Sequence, residues 1–181
     1  MSSSARLLFL FALASAVSAV SIAHADFRFG IGRTPTEAEI AGWDIDVRAD
    51  GRGLPPGHGS VHEGEKIYAD TCSACHGPNG EGAVGDKLVG GNGTLATQKP
   101  VKTVGSYWPY ATTLFDYIRR AMPFNAPQTL TADQVYAVSA YVLYLNKIVP
   151  EDTVMDATSL PKVVMPNRNG FTSPDPRPDA P

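Results

Sequence analysis

The stretch Cys72-Ser73-Ala74-Cys75-His76, at the end of an amphipathic run, decides the fold. Two thiols three positions apart near a helix end can each add across one vinyl group of a haem. The next residue then sets an imidazole under the iron, which is the c-type haem attachment pattern. The chain has no other cysteine, so a disulfide-stapled scaffold is excluded. A thioredoxin-like redox pair would sit in a βαβ pattern, absent here, and has no requirement for the following histidine. Half a zinc site would need a second ligand pair, and His58 and His62 are poor complements.

Helical signals flank the motif. Ser60 with Glu63 makes a capping box, and Val61, Gly64, Ile67 and Tyr68 fall on one face just before the cysteines. A second helix is predicted after Pro109, with Ala111, Leu114, Phe115, Ile118 and Met122 in period and Pro123 as its stop. A third opens on the Thr131–Gln134 capping box with a Leu130–Val135 staple, and Val135, Val138, Tyr141, Val142 and Leu145 form its apolar stripe. Between the first two helices, Gly77 to Gly105 is glycine-rich with no convincing strand. Long irregular loops of this kind are unusual unless they wrap something. A buried macrocycle supplies the apolar area that a chain with 17 glycines and 15 prolines lacks.

Upstream, Thr34-Pro35-Thr36-Glu37 predicts a short helix over about Pro35 to Ala41, and Trp43 to Val47 alternates apolar and polar, with Trp43 read as a packing residue. Asp50 to Gly57 reads as a turn-rich linker. Six prolines follow Pro150, so the tail is expected to run extended over the surface or be disordered at its end.

The first 25 residues read as an export segment: Arg6 in the n-region, an apolar run from Leu7 to about Val20, and Ala23-His24-Ala25 before a mature start at Asp26. The run is shorter than the roughly 20 apolar residues of a membrane span. The expected location is therefore the periplasm, with no stable membrane insertion after cleavage. The 181 residues then divide into a signal peptide (1–25), an N-terminal arm (26–59), a haem domain (60–149) and a proline-rich tail (150–181). Composition agrees with a globular protein, being 43% hydrophobic and 18% charged. The net charge of −3, which removal of Arg6 takes to −4, argues against nucleic acid as a partner.

What fills the sixth iron position decides between electron transfer and ligand chemistry. The candidates are Met122, Met155, Met165, His58 and His62. Met122 is favoured, because it ends an amphipathic helix, precedes Pro123 and stands 46 residues after His76, enough chain to cross from one haem face to the other. The ordinary alternative is a core methionine. A soft, neutral thioether favours reduced iron, and two filled axial positions leave no room for substrate.

The motif resembles that of class I cytochrome c, and Gly64 with Tyr68 resembles the small-plus-aromatic face that the family's first helix presents to its last, with Tyr141 or Tyr144 as aromatic partner. Met122-Pro123 is similar to its distal ligand and following proline. The family's Gly-Pro-x-Leu stretch, whose carbonyl orients the proximal imidazole, is matched here by Gly85-Asp86-Lys87-Leu88, so the bond to His76 is expected from another carbonyl. A narrower resemblance rests on Gly30 to Arg33, Trp43 to Arg48, Gly53 to Gly57, Ser106 to Thr113 and Met165 to Arg168, which are similar to the haem subunits of bacterial sulfite and sulfur dehydrogenases.

These resemblances imply an all-α cytochrome c fold, with three main helices and long loops around one covalent haem c, an extended arm and a tail. Cys72 and Cys75 would anchor the haem and His76 and Met122 would ligate iron. Tyr107, Trp108, Arg119 and Arg120 could meet the propionates, against a solvated helix face as the ordinary reading of the arginines. No residue is expected to be catalytic. The implied role is a single-electron carrier or electron-transfer subunit, with a molybdenum sulfite or sulfur dehydrogenase as donor and a terminal oxidase or another cytochrome as acceptor. The alternatives are a cytochrome serving another periplasmic dehydrogenase, and a haem enzyme or ligand-binding cytochrome with a labile distal ligand. For docking, Ala121, Pro123, Phe124 and the Gly77 to Gly82 loop are the candidate surface.

Overall fold

A computed structural model describes residues 31–172 of the chain. The expected export segment, the arm before Ile31 and the tail from Ser173 lie outside the described residues. Residues up to Glu39 form one unit and those from Ile40 onward another.

In the first unit Thr36 and Glu39 exchange hydrogen bonds, Thr36 N–H to Glu39 Oε2 at 2.8 Å and Glu39 N–H to Thr36 Oγ1 at 3.3 Å, and Arg33 pairs with the same carboxylate. The Arg33 guanidinium, with the Thr36 bonds, holds the Glu39 carboxyl down at about 2. Helix α1 (Glu37–Trp43) therefore starts two residues later than its sequence predicts. Both Thr34…Glu37 and Thr36…Glu39 carry the cap spacing, and the second is the one with a cation to hold its glutamate.

The second unit contains β1 (His58–Ser60), α2 (Val61–Thr71), α3 (Ser73–His76), α4 (Val104–Tyr107), α5 (Ala111–Ala121), α6 (Ala132–Leu145) and β2 (Val154–Asp156), then a 3₁₀ turn at Leu160–Lys162. Both predicted capping boxes form: Ser60 with Glu63 opens α2 and Thr131 with Gln134 opens α6. Each such cap is worth about 1 kcal/mol. Helix α5 follows Pro109 and ends at Met122, whose backbone is extended.

Helix α6 is buried on almost every side, from Val135 through Leu143. The single stripe read from sequence is too narrow. An all-round apolar helix belongs in the middle of a core, and α2, α4, α5 and both strands pack on this one. The closest crossing is with α2. A Cβ on Gly64 would stand 1.9 Å from the Ala137 carbonyl oxygen, so only hydrogen lets the two backbones meet. One turn on, the Tyr68 and Tyr141 rings are 5.3 Å apart, which makes Tyr141 the aromatic partner.

Two expectations change. The tail does not run over the surface between Val154 and Met165. It pairs antiparallel with β1, Gly59 opposite Met155, and buries Met155, Leu160 and Met165 in the main core. Its prolines stand outside the paired strand, at 161 and 166, so they do not interrupt the ladder. The other change is Trp43, which does not pack but is 88% exposed.

Candidate haem-binding site

Helix α2 delivers the attachment motif. Its last turn ends at Thr71, the Cys72 N–H donates to the Tyr68 carbonyl, and the chain turns at once into α3, which carries Cys75 and His76. Tyr68, buried under the crossing, donates its hydroxyl hydrogen to the Gly77 carbonyl at 2.9 Å and so ties the start of the helix pair's exit to the core. Burial pushes the Tyr68 phenol well above its usual range, which keeps it a donor. Neither cysteine is in a disulfide. Burial also pushes the Cys72 thiol up.

The His76 ring is fixed by main chain. Its Nδ1 stands 2.7 Å from the Asp86 carbonyl oxygen, and a carbonyl only accepts, so Nδ1 carries the proton and Nε2 keeps its lone pair for a metal. The bond thus comes from a carbonyl that no proline carries, within the Gly85 to Leu88 stretch itself. Asp86 occupies the position of the family's proline and offers the same carbonyl. Proline is not needed because the loop is tied by its own backbone. Gly85 N–H donates to Cys75 O at 2.8 Å, Gly82 N–H to His76 O at 2.7 Å, and Leu88 N–H to Gly80 O at 2.9 Å. A Cβ at Gly85 would press on the His76 ring at 3.1 Å. Asn146, at the end of α6, donates to Leu88 O at 3.1 Å and fastens the far side of the loop. The short helix α4, unread in the sequence, closes the stretch with a Thr103–Ser106 capping box, a spacing that was there to be seen.

Met122, the expected distal ligand, caps α5 and is half-buried. Cys72, Leu88, Trp108 and Met122 each pack part of their surface against the core and leave the rest open. Half-covered apolar side chains, a pair of cysteines three positions apart and an oriented imidazole are the chemistry that a covalent haem needs, and the residues fit it. A bare metal ion does not fit: among the described residues no group of three His, Cys, Asp or Glu could hold one.

Other candidate residues have other engagements. Tyr107 meets Phe171 edge-on, with Lys102 Nζ 4.9 Å from its ring centroid, and Trp108 meets Tyr117 edge-on. Arg120 pairs with Asp116, and Arg119 donates to the Ile45 carbonyl at 3.5 Å. Met155 and Met165, weighed as distal ligands, are 2% and 1% exposed within the core. His58 and His62 are exposed.

The Cytochrome c family model matches residues 61–146. With the attachment motif, the oriented histidine and the α2–α6 crossing, the chain belongs to the cytochrome c family: a haem c protein that transfers electrons. Over 83% of its length it is 46% identical to a chain in the crystal structure of the sulfane dehydrogenase SoxCD from Paracoccus pantotrophus. The alignment takes in 74% of that chain with a TM-score of 0.76. No curated protein matches the sequence.

Proposed function

We propose that this protein is a periplasmic monohaem cytochrome that takes single electrons from a molybdenum-dependent sulfite or sulfur dehydrogenase and passes them to the respiratory chain, through a terminal oxidase or another cytochrome. The observation that carries it is the His76 ring held by the Asp86 carbonyl directly after the Cys72 and Cys75 pair. A single attachment motif supports one haem. The identity with a sulfane dehydrogenase chain supports the donor, since it extends over more of the chain than residues 61–146.

When bound, haem c takes up and releases one electron at its iron. Cys72 and Cys75 hold it through thioethers, His76 presents Nε2, and Met122 presents a neutral sulfur that favours the reduced state. Tyr107 and Trp108 serve the propionates. Arg119 and Arg120 serve them only with the donors that Ile45 and Asp116 leave free. Phe124, 87% exposed two residues after Met122, heads the docking surface with Ala121, Pro123 and the Gly77 to Gly82 loop. Transient electron-transfer interfaces are small, so one such ring is a large share of the contact.

Stopped-flow mixing of the oxidised protein with sulfite and a catalytic amount of the dehydrogenase tests the donor. Haem reduction is expected, and its absence removes the partner assignment. Met122→Ala tests the ligand in the same preparation: the methionine-to-iron absorption should vanish, and its survival places the ligand elsewhere.

A further inference from the structure

Helix α5 has no glycine at its end and no C-terminal cap beyond the Met122 N–H donating to Ile118 O, so its last turns need support from the side. That support is the segment Ile45–Val47. Asp116, 7% exposed, accepts the Val47 N–H through Oδ1 at 3.0 Å and pairs through Oδ2 with Arg120. Arg119 donates to the Ile45 carbonyl. A buried carboxylate needs partners for both oxygens, and here one of them is a main-chain N–H from a distant part of the chain.

The segment is itself held firm. Val47 is 9% exposed in the main core, and Arg48 exchanges a turn with Arg52, donating its N–H to Arg52 O at 2.9 Å, while Gly51 N–H returns to Arg48 O at 2.9 Å. Leu54 packs on the same core. Asp116 and Arg119 thus fasten α5 to a fixed strut six and three residues before Met122, about 9 Å and about 5 Å along the helix axis.

We propose that Asp116 is a positioning residue for the distal ligand: by bracing the end of α5 against Val47 it keeps Met122 from leaving the iron. The proposal rests on the reading of Met122 as that ligand. A neutral thioether competes with small ligands for iron, so its hold depends on how well the chain behind it is ordered. Asp116 acts through Met122.

The test uses the purified holoprotein and two substitutions, Asp116→Ala and Asp116→Asn, with Met122→Ala as control. Two signals are followed against urea, the methionine-to-iron absorption and far-ultraviolet helicity, and carbon monoxide binding is measured on the reduced protein. In Asp116→Ala the absorption should disappear at lower urea than the helicity, and carbon monoxide affinity should rise about tenfold, the ratio that one hydrogen bond to a charged group supplies. Asp116→Asn keeps an acceptor for Val47 and should fall between Ala and the parent. If Asp116→Asn and Asp116→Ala lose both signals at one shared midpoint with carbon monoxide affinity unchanged, Asp116 is only a stability residue and the proposal is overturned. Should Asp116→Ala fail to fold, Asp116→Asn decides alone by the same criterion. A parent protein without the absorption, or a Met122→Ala protein that keeps it, overturns the ligand reading and the brace with it; a parent with it and unaffected Asp116 variants overturns the brace alone.

Discussion

Replacing Gly64 by alanine sets two effects against each other. In an exposed helix interior the change stabilises by about 1 kcal/mol, because glycine has the larger backbone entropy to lose. At Gly64 the new methyl would lie 1.9 Å from Ala137 O, 2.5 Å from Ala137 C and 2.8 Å from Tyr141 Cβ. Two of these neighbours are backbone and cannot rotate away, so α2 and α6 must separate by more than about 1 Å to reach van der Waals distance. Overpacking of this kind costs about 1–3 kcal/mol, and the crossing also loses the contact of Tyr68 with Tyr141. Sterics win, and a net loss of about 2 kcal/mol is expected. In a domain of this size that lowers Tm by about 5–10 °C. Urea unfolding of the holoprotein, followed by far-ultraviolet circular dichroism, measures it. Gly42→Ala is the matched control, since nothing stands within 4 Å of a Cβ there. A Gly64→Ala protein as stable as its parent would refute the claim that backbone contact at this crossing sets the position of the motif at the end of α2.

Two further expectations follow from main-chain and side-chain roles. Asp86→Ala should leave the His76-ligated spectrum intact and shift stability by no more than about 0.5 kcal/mol, because the group that orients the ring is the backbone carbonyl; loss of histidine ligation in the visible spectrum would mean that the carboxylate does the orienting. Asp156 accepts from Ser159 N–H at 2.7 Å and Thr158 N–H at 2.8 Å, and the Ser159 bonds above all hold its carboxyl below the ordinary carboxylate range. A depressed folded-state value gives stability that is present above the unfolded value and lost as pH falls through the folded one. Asp156→Asn should therefore destabilise the protein at neutral pH and flatten the acid limb of its urea midpoint against pH, and an unchanged limb would remove Asp156 from the acid response.

Local chemistry made the three main helices legible. Ser60–Glu63 and Thr131–Gln134 are pairs three residues apart, and each folds as written because donor and acceptor need nothing from the rest of the chain. The attachment motif was legible for the same reason. What depended on distant partners was not. Trp43 looks like a packing residue by type and lies 88% exposed, whereas Met155, Leu160 and Met165, in a stretch that prolines mark as irregular, are buried; β1 and α6 cover the strand that carries Met155, and α5 packs on the 3₁₀ turn that carries Leu160. The same distinction separates the two halves of the site. The chemistry of Cys72, Cys75 and His76 is written in five consecutive residues, but the partners of Arg119 and Arg120 lie 74 residues away and four residues away respectively, and only the second could be read from spacing.

The Asp86 carbonyl shows why a family's residue and a family's function can part. A proline at that place does two things: it presents a carbonyl and it restricts the chain that carries it. Here the carbonyl remains and the restriction is supplied by Gly85 N–H on Cys75 O, Leu88 N–H on Gly80 O and Asn146 on Leu88 O, three bonds that bracket Asp86 on both sides. Since the orienting atom is main chain, the His76 ring depends on the loop's path and not on the side chain at position 86. A ring held by a carbonyl in a fastened loop keeps one orientation whichever residue supplies the carbonyl.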